Sequence, residues 1–194
     1  MRLNEKPASG FISESWSDGS GQQSWTWSWN LILGRLLSIA ENRYGKRSHE
    51  KAILGIHFGG TNPETWCYNP GDTECVSIRL SLSAANDHNC AFSELAHEVI
   101  HLLCPGGRDT NLLEEGLAVV FSEDMRSEFG YPPAPRNNYE PAAQAVTELL
   151  VDHPDCIKKI RSEHEDLRTV TSDYLMSTLK IPQSLADTLV LPFY

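Results

Sequence analysis

The chain is short of positive charge. Its 194 residues carry 16 Lys and Arg against 26 Asp and Glu, a formal net charge of −10. Nucleic acids and anionic membrane surfaces are held by clustered Lys and Arg, so neither is expected as a partner. The densest basic cluster, Lys158-Lys159-x-Arg161, stands beside Glu163, Glu165 and Asp166 and reads as a solvated helix face. Long apolar runs are missing too, and no stretch is long enough to span a membrane. Met1-Arg2-Leu3-Asn4-Glu5-Lys6 is not followed by an apolar core, so a secretory signal is not expected and a cytoplasmic location is. The five cysteines, Cys67, Cys75, Cys90, Cys104 and Cys156, form an odd set without CxxC spacing. That pattern fits free thiols in a reducing compartment better than a disulfide framework, with a Cys67 to Cys75 bridge across a hairpin as the alternative. The length suits one domain over 1–194 with a real core, and is too short for two sizeable ones.

Periodicity divides what is there. Trp25, Trp27 and Trp29 alternate with small polar residues, and segments 11–16 and 24–30 flank Ser17-Asp18-Gly19-Ser20-Gly21. This predicts a hairpin with one tryptophan face packed on a helix. Leu33, Leu36, Leu37 and Ala40 recur at helical spacing and the pattern stops at Gly45, so 31–44 is expected to be a core helix. Residues 52–58 read as a buried strand containing His57. Strands over 65–68 and 75–82 surround the turn Asn69-Pro70-Gly71-Asp72. In the second strand Val76, Ile78, Leu80 and Leu82 share one face, and Ser77, Arg79 and Ser81 the other. Later, 129–136 is expected to be an extended, proline-rich connector, with a cleft wall as the alternative; Pro141 opens a helix to about residue 152, and helices follow near 156–165, 171–179 and 182–189.

Between these parts lies His97-Glu98-Val99-Ile100-His101. A helix advances about 100° per residue, so His101 stands about 40° around from His97 and one turn above it. Both imidazoles can then reach one ion. Glu98 is offset from them, which suits a residue that handles a water without ligating the metal. A helix over 91–104 gathers Glu94, His97, Glu98 and His101 on its only polar arc, and Pro105-Gly106-Gly107 stops it. Cys104, one turn beyond His101 on nearly the same face, is expected in the core, with a place lining the metal site as the alternative. Downstream, 111–121 reads as a helix apolar on every side except at Glu114 and Glu115, so at least one of these must be buried. A buried carboxylate is costly unless a partner such as a metal neutralises it.

His97-Glu98-x-x-His101 followed by Glu115-Gly116-x-Ala118 resembles the gluzincin zinc metallopeptidases, whose second helix carries an Asn-Glu-Gly-x-Ala type pattern. Glu114 stands where that Asn would be, and the resemblance spans roughly residues 76–123. It implies one catalytic Zn²⁺ held by His97, His101 and Glu115. The fold class it implies is α+β: a small zincin-like domain, with a mixed or antiparallel sheet and the active-site helix over about 10–105 and a mainly helical part over about 110–194. The strand before the metal helix would form the cleft edge and pair with extended substrate, so residues 77–81 would contact it. Thermolysin-like members place an Asp four residues after the glutamate ligand to orient a histidine. Here that position is Val119, which leaves Glu94, Glu123 or Ser122 for the contact. Cys104 and Gly107 depart from the metzincin pattern, and Asp109 is the alternative third ligand of an aspartate-type zincin.

The activity implied is hydrolysis of a peptide or protein substrate. Three protein ligands leave a position for a water, whose pKa zinc lowers toward about 7. Glu98 would take the water's proton and pass it to the leaving amine. A downstream Tyr or His would steady the oxyanion, and Tyr139, His153, His164 and Tyr174 are available, with Tyr174 preferred for its distance from the ligand. Two alternatives share the residues: a narrow-specificity regulatory or effector zincin acting on one protein, and a non-catalytic interaction domain holding zinc for structure. The intact Glu98 argues against the second.

Overall fold

Trp29, Ile32, Leu33, Leu36 and Ala40 recur every three to four positions and are all buried along α1 (Thr26–Tyr44). The structure, a computed structural model, describes residues 15–17, 23–67, 75–106 and 109–193. Helix α1 begins five residues before the leucine pattern, because Trp29 extends that pattern backwards into the core. The expected hairpin is therefore confined to β1 (Ser15–Ser17) and β2 (Gln23–Trp25), paired antiparallel. Trp27 and Trp29 belong to the helix, and tertiary burial overrides the period-two alternation. Residues 11–14 and the turn at 18–22 lie outside the described residues. Gly45, at φ 99°, ends α1 with its N–H on the Glu41 carbonyl, a left-handed position that suits glycine.

The main sheet holds β3 (Ala52–Phe58), β4 (Glu64–Cys67) and β5 (Cys75–Leu80) in the order β3-β5-β4, with β5 parallel to β3 and antiparallel to β4. Strand β5 is central, and Val76, Ser77, Ile78 and Leu80 are buried, as is Ser81 just beyond it. This corrects the expectation that 75–82 forms the cleft edge, since both of its sides are already paired. The edge is β4. Strand β3 is the opposite edge and not a buried strand: Leu54 is 59 % exposed, and a register irregularity between Ile53 and Ile56 surrounds Gly55 at φ 111°. Leu82, expected on the inner face, lies past the strand and is exposed. Cys75 is a free thiol, so the Cys67 to Cys75 bridge is not formed; the turn at 69–72 lies outside the described residues.

The rest is largely helical. It comprises α2 (His88–His101), α3 (Leu112–Glu128), α4 (Glu140–Asp152), α5 (Cys156–Glu163), α6 (Ser172–Leu179) and α7 (Gln183–Leu189), with a short ribbon of β6 (Thr110–Asn111) and β7 (Pro192–Phe193). The architecture is α+β, and one hydrophobic core runs from Trp29 to Leu189. Helix α3 packs chiefly on α2 and α4. Arg161, expected on a solvated face, is instead 8 % exposed and donates to the carbonyls of Gly45, Lys46 and Leu103, tying α5 to the end of α1 and the loop after α2. No helix among the described residues is long and apolar enough to cross a membrane.

One contact fixes where α2 sits against the sheet. Ser81, just after β5, donates its backbone N–H and its hydroxyl to the two oxygens of Glu94, at 2.8 and 2.6 Å. Glu94 lies one turn before His97, so the central strand and the histidine helix are pinned at the site.

Candidate metal centre

Helix α2 starts at Asp87, whose carboxylate accepts the backbone N–H groups of Asn89 and Cys90. Ala91, Phe92, Leu95, Ala96, Val99 and Ile100 are buried around it, which aims His97 and His101 along the remaining stripe. Helix α3 starts at Asn111, whose side-chain oxygen accepts the N–H of Glu114 at 2.9 Å. Glu114 and Glu115 thus occupy the first turn, where the unpaired amides and the helix dipole favour negative charge. Both carboxylates are buried, at 5 % and 6 % exposure. The sequence required one.

The two helices bring His97, His101 and Glu115 together. His97 Nε2 lies 3.4 Å from His101 Nε2 and 3.2 Å from Glu115 Oε2, while His101 Nε2 lies 3.6 Å from Glu115 Oε1. A tetrahedral zinc with ligand bonds of about 2.0–2.1 Å separates its donors by about 3.3 Å, so these spacings fit that ion. Charge points the same way. Burial disfavours the imidazolium of His101, yet its hydrogen bond to Glu114 and the carboxylates of Glu114, Glu115 and Glu98 outweigh burial and push its pKa up to about 10. Burial likewise raises Glu115, but the hydrogen bond from His97 and the charges of His101 and His97 hold it at about 2. The cluster's field strongly favours a cation at its centre.

Around these donors stand residues whose roles the sequence left open. Glu114 Oε1 lies 3.0 Å from His101 Nδ1, fixing the ring so that Nε2 faces the other donors. Arg168, itself paired with both oxygens of Asp166, lies 3.7 Å from Glu114 Oε2. The residues expected to orient a histidine do other work: Glu94 holds Ser81, Glu123 holds Arg136, and Ser122 donates to the Ser93 carbonyl. Position 114 carried a usable signal, because two adjacent acids on an otherwise apolar helix both need partners. Glu98 is 4 % exposed, and its Oε2 accepts the Thr65 hydroxyl of edge strand β4 at 3.0 Å. Asp109 is exposed and stands outside the cluster.

The donors open onto a cleft of about 470 Å³, whose walls include Thr65, Trp66, Cys104, Tyr139 and Arg168. Cys104, expected in the core, is half-buried in this wall, and burial raises its thiol pKa. Arg79 pairs with Glu64 and lies 4.1 Å above the Trp66 ring. A smaller cavity of about 160 Å³ adjoins the cleft at His97 and Tyr139 and is floored by Ser93, Val119 and Ser122. Ala134 and Pro135 form its wall, so the proline-rich segment is part of the site and not only a connector. Of the four oxyanion candidates, the structure brings only Tyr139 to the cluster, with its ring edge-on to His97 at 5.2 Å between centroids. Burial, followed by the Glu115 and Glu98 charges, pushes its pKa up to about 12, so the phenol keeps its proton. Tyr174, preferred on spacing, bonds Glu163 through its hydroxyl and packs on His164; these two and His153 line neither cavity. Spacing along the chain fails there because α4, α5 and α6 fold away from the cleft.

The two acids should separate in a chelator-competition titration. Glu115→Gln is expected to abolish tight zinc binding, whereas Glu114→Gln, which leaves a neutral acceptor for His101, should weaken it by about 10–100-fold. Tight binding in Glu115→Gln with loss in Asp109→Asn would transfer the third ligand to Asp109. Comparison of the chain with known protein families, with curated proteins and with solved structures finds no match.

Proposed function

We propose that the protein is a zinc-dependent metallopeptidase in which His97, His101 and Glu115 hold the metal. The observation that carries this reading is Glu98: a buried carboxylate outside the donor set, at the floor of an open cleft, with one oxygen fixed by Thr65. A metal kept for structure needs no adjacent base, and structural zinc sites are closed by four protein ligands.

When bound, zinc supplies a Lewis acid that makes water more acidic and polarises a carbonyl. Glu98 accepts the proton of the attacking water and returns it to the leaving amine. The Tyr139 hydroxyl, which has no hydrogen-bond partner among the described residues, donates to the oxygen that gains charge as the carbonyl becomes tetrahedral. Extended substrate pairs with the outer edge of β4, which no other described strand occupies. The free thiols Cys75, Cys90, Cys104 and Cys156 support a reducing, cytoplasmic setting.

Metal analysis and a peptide-library cleavage assay on the purified protein test the proposal together. About one zinc per chain is expected, with cleavage lost on chelation and restored by zinc. Stoichiometric zinc in a His97→Ala, His101→Ala double variant would sink the ligand set. Loaded protein that cuts neither casein nor the library would leave the metal a structural role.

A further inference from the structure

The geometry points to Phe193 as the residue that holds the Tyr139 ring in place against the metal cluster. This rests on the reading of Tyr139 as the hydrogen-bond donor of the proposed hydrolysis. Tyr139 ends a single 3₁₀ turn, Asn137–Tyr139, which opens on Asn137 in the left-handed region at φ 50°. Its hydroxyl is tied to no described residue, so among the described residues no side-chain hydrogen bond orients it and ring packing does. One contact is the edge-on approach to His97. A second is Phe193, stacked on the phenol at 4.9 Å between centroids with only 15° between the planes.

Phe193 is in turn held by backbone. It lies on β7, which pairs with β6 in the register Thr110↔Phe193 and Asn111↔Pro192, and the N–H of Leu112 donates to the Leu191 carbonyl at 2.9 Å. Thr110 also hydrogen-bonds Glu115, and Asn111 caps the helix that presents Glu114 and Glu115. The segment 191–193 is therefore fastened to the chain that delivers the glutamate ligand. Through the stack, it fixes the donor relative to that ligand. Phe193 is not a member of the cluster and is absent from the lining of both cavities, so it acts through Tyr139.

Three substitutions test this: Phe193→Ala, Phe193→Leu, which keeps apolar bulk without a planar face, and Phe193→Tyr, which keeps the face. The first readout needs no activity. The ring protons of His97, observed by NMR in histidine-labelled protein, feel the ring current of Tyr139, with Tyr139→Ala as the reference for its removal. Phe193→Ala and Phe193→Leu should both move the His97 signals toward that reference, and Phe193→Tyr should restore the parent position. The second readout is kinetic. Both non-aromatic variants should lower kcat by about 10-fold with KM within about 2-fold, the scale of an aromatic pair and of a misplaced group. In a Tyr139→Phe background the further loss should fall below about 2-fold. His97 signals unmoved in Phe193→Ala, recovery in Phe193→Leu, or a full loss persisting in the Tyr139→Phe background would each overturn the positioning role. If the parent protein hydrolyses nothing, the peptidase reading fails on its own, and the His97 signals alone decide whether Phe193 holds Tyr139.

Discussion

Glu98→Gln is expected to fold and bind zinc like the parent protein and to hydrolyse peptides at least about 10²-fold more slowly. Gln keeps the length and shape of Glu, and its carbonyl can still accept the Thr65 hydroxyl that now bonds Glu98 at 3.0 Å. The amide nitrogen then faces the cleft. It donates where the carboxylate accepted, and at neutral pH it takes no proton from water. Because Glu98 is outside the donor set, removing its charge leaves His97, His101 and Glu115 in place. The loss should appear in kcat, with KM little changed, since the group acts on the proton in flight and not on the resting substrate. Steady-state kinetics beside metal analysis on one preparation makes the measurement. Parent-like turnover with zinc bound would refute the base assignment.

Gly116→Ala is expected to destabilise the fold by about 2 kcal/mol and to lower Tm by about 4–8 °C. Two effects oppose each other. Alanine is favoured over glycine within a helix by about 1 kcal/mol. A Cβ at position 116, however, would collide with the Ala142 carbonyl oxygen and stand 2.6 Å from Val146 Cγ2 and 2.7 Å from the Ala142 carbonyl carbon. Backbone cannot rotate out of the way as a side-chain tip can, so α4 must retreat from α3, and overpacking of that kind costs about 3 kcal/mol. The clash wins. Because Gly116 follows Glu115 directly, the same retreat should also weaken zinc. Calorimetry with and without metal tests this, and a rise in Tm would show that the helices part without cost. The glycine of the Glu-Gly-x-Ala pattern thus has a physical reason here: it lets two helices cross closely beside Glu115.

The site was legible where chemistry is local. The His97 and His101 pair sits on one helix with a side-chain cap and a closely packed apolar surround, and periodicity alone places both rings. The cost of burying acids on an apolar helix marks Glu114 and Glu115 together, and only the resemblance to the Glu-Gly-x-Ala pattern singles out Glu115. Other parts depended on pairings that a linear reading does not contain. Strand β5 carries a pattern consistent with an edge, yet it is central because β3 joins it in parallel from before the β4 hairpin. The tryptophans alternate as in a strand, yet Trp29 is claimed by the core of α1. Tyr139 could not be told from Tyr174 by distance along the chain, because that choice depends on where α4 turns after the proline-rich segment. The sequence marks Glu114 as an acid in need of a partner without naming that partner. Its role appears only when His101 Nδ1 lies 3.0 Å away.

The metal donors and the donor phenol reach the cleft from very different places along the chain. His97, His101 and Glu115 belong to two consecutive helices, so closing the loop between them costs little entropy, and that helical pair can capture an ion early in folding. Tyr139 arrives after a further loop, and its ring acquires its stacking partner only when residues 191–193 return to pair beside Thr110. Under the proposed function, a nascent chain would therefore hold its metal before it is competent to cut. The distant return of the last described segment would then place the proposed activity after the rest of the molecule has formed.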